Sequence, residues 1–78
     1  MSNNTLNRLQ ELAIQRFGEK ARTVEPDADF FEALGIDSLQ ALDLLTDLED
    51  AFDVEVPDYE LQGVHTFQGL ADVIEQRL

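Results

Sequence analysis

Leu34-Gly35-Ile36-Asp37-Ser38-Leu39 is the stretch that decides the fold, because it hands a loop over to the longest helical pattern in the chain and leaves one hydroxyl at the junction. Asp37 suits an N-cap, since its carboxylate can accept hydrogen bonds from the first free amides of a helix. Gln40, three residues later, completes the spacing of a capping box. Ser38 then falls in the first helical turn, where a serine is an ordinary structural residue on geometry alone. Its surroundings have to decide whether it is more than that.

Working downstream, a helix is expected over Ser38 to Phe52. At about 100° per residue, Ala41, Leu45, Leu48 and Phe52 share one stripe with Leu44 and Ala51 at its margin, and this is the expected core face. Leu39, Leu42 and Thr46 fall on a separate strip bordered by Asp43 and Asp50, with Asp47 beyond. Two readings fit that strip. It is a docking surface fringed by carboxylates, or it is covered by the loop or the third helix. Asp53-Val54-Glu55-Val56-Pro57 breaks the helical period, and without a partner strand so short a run is an extended loop. One short helical turn is expected at Asp58 to Leu61, ending near Gly63. Thr66 caps a last helix in which Phe67, Leu70, Ala71, Ile74 and Leu78 recur at helical spacing.

Upstream, Leu6, Leu9, Ala13 and Phe17, flanked by Leu12 and Ile14, predict an amphipathic helix over Thr5 to Phe17, stopped by Gly18. Glu19 to Ile36 reads as a long connection, pinned to the helices by Phe30, Phe31 and Leu34. The expected architecture is all-α: a small four-helix bundle of three longer helices and one short one, with a long loop between the first two, in a single domain spanning residues 1–78.

Cysteine is absent, so neither a disulfide nor a thiolate nucleophile comes from the chain. No signal peptide, transit peptide or transmembrane run is visible, and a cytoplasmic protein is expected. Five bases stand against seventeen acids, a net charge of −12, and the stretch from Thr23 to Gln76 holds fifteen acids with no lysine or arginine. That is the wrong sign for nucleic acid or an anionic membrane, and it suits partners with basic surfaces. A solvated face that keeps the protein soluble fits the charge equally well, whereas disorder does not, given 44% apolar residues. Catalysis has little support. His65 is the only histidine, Gly-x-Ser-x-Gly is missing, and a chain this short offers no deep cleft. An EF-hand beginning at Asp27 fails, because Glu32 would replace its glycine and Ser38 its bidentate glutamate.

The run from Asp29 through Phe30-Phe31 and Leu34-Gly35-Ile36-Asp37-Ser38-Leu39, followed by Leu42, Asp43, Leu44, Leu48, Glu49 and Phe52, resembles the acyl carrier protein family over roughly residues 5–78. The resemblance implies that 4′-phosphopantetheine, donated from coenzyme A by a phosphopantetheinyl transferase, is attached to Ser38. Its thiol would supply the nucleophile that the chain lacks, and the protein would carry acyl groups as thioesters in fatty acid, polyketide or related biosynthesis, without activity of its own. A phosphate suits a helix start, where free amides and the dipole favour negative charge. The implied partners are acyl-loading and acyl-processing enzymes with basic docking surfaces, met by Asp37, Leu39, Gln40, Leu42, Asp43, Asp47, Asp50 and Glu60 on a monomeric carrier. Asp37 favours acyl cargo, since peptidyl carriers more often have Gly-His before the serine. Gln40 stands where an acid is frequent. The competing readings are an aminoacyl or peptidyl carrier, and an acidic adaptor that keeps the carrier fold without the arm.

Overall fold

The structure, a computed structural model, describes residues 2–78. Helix α1 (Ser2–Phe17) starts three residues earlier than the Thr5 expected from its apolar pattern, because polar residues carry no apolar period by which to mark a helix start. Leu9 and Ala13 are fully buried, and Leu6, Leu12, Ile14 and Phe17 pack partly against the core. Gly18 ends the helix at φ 96°, a backbone conformation that a Cβ would oppose.

The connection from Glu19 to Ile36 is more structured than a loop. A 3₁₀ turn at Glu19–Thr23 buries Ala21, and a short helix α2 (Phe30–Leu34) follows. The Asp29 carboxylate caps α2 by accepting from the N–H groups of Phe31 and Glu32 at 2.9 and 3.3 Å, and Gly35 closes it in the left-handed conformation. The short member of the four-helix set is therefore α2. The turn expected near Asp58 is 3₁₀ in character and spans Asp58–Leu61.

Helix α3 (Ser38–Phe52) buries Leu44, Leu45 and Leu48, while Ala41 and Phe52 are half-buried. Leu48 lies at the centre of this buried stripe, and the stripe extends to Leu44, which is as fully buried as Leu48 and not marginal to it. Beyond Asp53 the chain runs extended to Pro57, as its broken period suggests. It is tied back to α3 where the Val56 N–H donates to Glu49 Oε2 at 2.8 Å.

Helix α4 (Phe67–Glu75) starts at Thr66, whose hydroxyl accepts from the Gly69 N–H at 3.0 Å, and it buries Phe67, Leu70, Ala71 and Ile74. Leu78 lies beyond the end of α4 and is exposed, so the helical spacing overstates the buried stripe by one residue. The α2 segment is held to the start of α4 by two backbone hydrogen bonds. Phe30 N–H donates to the His65 carbonyl at 3.0 Å, and Gln68 N–H to the Pro26 carbonyl at 2.9 Å. Phe30 also stacks on Phe67 with ring centroids 5.2 Å apart. One core of residues from all four helices results, and the start of α3 projects from it.

Candidate functional site

Ser38 is the first residue of α3 and is exposed. The cap beneath it is complete: the Gln40 N–H donates to Asp37 Oδ1 at 3.0 Å, and the Asp37 N–H donates to Gln40 Oε1 at 3.1 Å. The first intrahelical bond runs from the Ala41 N–H to the Asp37 carbonyl. The amides of Ser38 and Leu39 therefore precede the helical ladder and face outward with the positive end of the helix dipole. A phosphodiester on the Ser38 hydroxyl fits such a position, and both ends of the α3 entry are fixed by side chains that do not need the serine. Asp37 opposes a phosphate by charge, and capping is what it demonstrably does here.

The strip beside Ser38 is open. Leu39 is 72% exposed and stands clear of the rest of the chain, while Leu42, at 38%, is partly covered. Thr46, Asp43 and Asp50 are exposed along the same side. An apolar strip fringed by acids therefore reaches solvent beside Ser38.

Two of the expected contact acids are already engaged. Asp47 meets Arg16 of α1 in a bidentate pair, Nε to Oδ2 at 2.6 Å and Nη2 to Oδ1 at 3.0 Å. Hydrogen bonding from the guanidinium holds the Asp47 carboxyl below the usual carboxylate range. Glu60, in the 3₁₀ turn, accepts from Arg77 Nη2 at 2.6 Å. Pairs 31 and 17 residues apart leave no local signal in a sequence, and Arg16 and Arg77 are partners that sequence reasoning misses.

Sequence reasoning also misses a cavity of about 240 Å³ that opens beside Ser38. Phe31, Ala41, Leu42, Leu61, Val64 and Leu70 supply most of its wall, with Ser38, Asp58 and Gln62 as its polar members. Its volume equals roughly eight water molecules. Its walls come from α2, α3, α4 and the 3₁₀ turn, so only the folded chain creates it. His65 lies outside this arrangement, exposed, with its Nδ1 3.0 Å from the Gly63 carbonyl oxygen.

Comparison with known proteins agrees with the geometry. The fold is that of an acyl carrier protein from Enterococcus faecalis, matched with a TM-score of 0.78 over 100% of this chain and 99% of that one at 20% identity. A family model described as the phosphopantetheine attachment site matches residues 7–74. The chain therefore belongs to the phosphopantetheine-attachment family and is a carrier domain whose prosthetic group is 4′-phosphopantetheine.

Proposed function

We propose that Ser38 is the attachment point and that the chain carries acyl groups as thioesters in fatty acid, polyketide or related biosynthesis. The observation that carries this reading is the exposed Ser38 hydroxyl at a fully capped helix start, on the rim of an apolar-walled cavity. The bound arm would supply a thiol. The chain's own residues orient the arm, with the Asp37–Gln40 box fixing the helix start and the outward amides of Ser38 and Leu39 favouring the phosphate.

The cavity supports acyl over aminoacyl cargo. A hydrocarbon chain gains by leaving water for these walls, whereas the ammonium of an aminoacyl group would be desolvated there with Asp58 as its one acidic neighbour. On this reading the chain is a cytoplasmic monomer that does no chemistry itself. It meets the phosphopantetheinyl transferase and basic-surfaced acyl enzymes through Asp37, Leu39, Gln40, Leu42, Asp43 and Asp50, while Asp47 and Glu60 are held by Arg16 and Arg77. Charge at that rim acts chiefly on association rate.

The test is intact-mass measurement after incubating the apo protein with coenzyme A and a broad-specificity phosphopantetheinyl transferase. The wild type gains one arm, while Ser38→Ala gains none and keeps the same helical circular dichroism. Modification of Ser38→Ala, or an unmodified wild type, overturns the assignment. An unmodified wild type would instead support the adaptor reading.

A further inference from the structure

The acid-fringed strip of α3 carries one carboxylate that the protein neutralises from within. Asp43 and Asp47 are one turn apart and share a flank, while Arg16 reaches across from α1 and takes both oxygens of Asp47. Both partners remain partly in water, with side chains 36% and 33% exposed, so the pair lies at the surface and is open to competition. It also sits in an open groove between α1 and α3 that contains Leu12, Gln15, Asp50 and Ala51. Arg16 therefore stands at the edge of the docking surface proposed above, within Coulomb range of Asp43 as well as Asp47.

Resting on that surface, we propose that Arg16 is a specificity-determining residue for docking: it withdraws Asp47 from basic partners and breaks the acidic strip of α3 between Asp43 and Asp50. Asp47 lies about 13 Å along the axis from Ser38, at 1.5 Å per residue. A transferase that reaches the serine is close enough to sense a carboxylate there. With Arg16 in place it meets a neutral Arg16–Asp47 pair, and the attractive field is divided between Asp37 and Asp43 on one side and Asp50 on the other. Without Arg16 the free carboxylates run unbroken from Asp37 through Asp43 and Asp47 to Asp50. A basic partner with a longer footprint then gains a contact, and it associates faster because complementary charge steers encounter.

The experiment measures kcat/KM for arm transfer from coenzyme A by a phosphopantetheinyl transferase, at low and high ionic strength, on four apo proteins: wild type, Arg16→Gln, Arg16→Gln/Asp47→Asn and Arg22→Gln. Arg16→Gln is expected to raise kcat/KM about three- to tenfold at low salt, through KM, with the gain fading at high salt. The double variant has the same formal charge as the wild type and should return to within about twofold of it, because the freed carboxylate is gone. Arg22→Gln makes the same net charge change at a pair with Glu19 in the 3₁₀ turn, and should not reproduce the gain. The proposal is overturned if Arg16→Gln is no faster than wild type, if the double variant keeps the gain, or if Arg22→Gln matches it. If the wild type is not modified at all, the carrier reading falls and this inference falls with it. Equal modification of all four overturns this inference alone.

Discussion

Asp53 holds the left-handed backbone that ends α3, at φ 56° and ψ 50°, and it is the one residue other than glycine with positive φ among the described residues. The conformation is tolerated by aspartate better than by most residues, yet it places a carboxylate where the helix dipole is negative. Asparagine accepts the same backbone without the charge. Asp53→Asn should therefore stabilise by about 0.5 kcal/mol, a rise in melting temperature of roughly 2–4 °C for a domain of this size. Asp53→Ala should lower it, and an Asp53→Asn protein melting below wild type would refute the argument. Gly69 shows the opposite lesson. As a helix residue it reads as a defect costing roughly 1 kcal/mol, but a Cβ there would lie 3.1 Å from Thr66 Oγ1 and 3.3 Å from Val64 Cγ1. Its absence leaves room for the threonine to cap α4 and for Val64 to pack beside it.

Among the elements, the Arg16–Asp47 pair gives the joint between α1 and α3 a pH dependence whose sign is fixed. Asp47 titrates below its unfolded value of about 3.9, so it binds fewer protons in the native state and its contribution is complete above that value. The contribution is lost as pH falls through the lower, native value. The stability difference between wild type and Asp47→Asn, measured by urea unfolding, should be constant from neutral pH to about 5 and then shrink on further acidification. A difference that grows on acidification would mean that the pair does not set it.

Elements with caps and full-length patterns were legible in the sequence. Asp37 with Gln40, and Thr66 ahead of Phe67, located α3 and α4, and the strip beginning at Leu39 could be placed from spacing, which left open whether it is covered. Helix α2 was not legible, because one and a half turns cannot display a period. Asp29 followed by Glu32 and Gly35 did hold its start and stop signals. The cavity beside Ser38 and both long-range arginine pairs were out of reach, since they depend on how four helices pack and not on any local pattern.

At the scale of the whole molecule, charge opposes compaction. Between Thr23 and Gln76 fifteen acids share no internal cation, and Arg16 and Arg77 reach in from outside to pair with Asp47 and Glu60. Such surface pairs are worth little, so the repulsion among the remaining carboxylates is only slightly offset. A bundle of 78 residues has a small stability reserve against which that repulsion counts. Screening acts on both effects, but repulsion involves many more charges and dominates the balance. The melting temperature should accordingly rise as sodium chloride increases from low concentration toward 0.5 M. Magnesium at matched ionic strength should raise it further, because a divalent counter-ion accumulates more strongly around a net charge of −12. Among the described residues no group of three carboxylates converges to hold an ion. The magnesium effect should therefore be graded and should not saturate at micromolar concentration. Scanning calorimetry at neutral pH, well above the isoelectric point near 4.1, separates these outcomes from aggregation. A melting temperature that ignores salt would mean that the acids are solvated well enough not to burden the fold, and selection for basic partners would then be the remaining reason for their number.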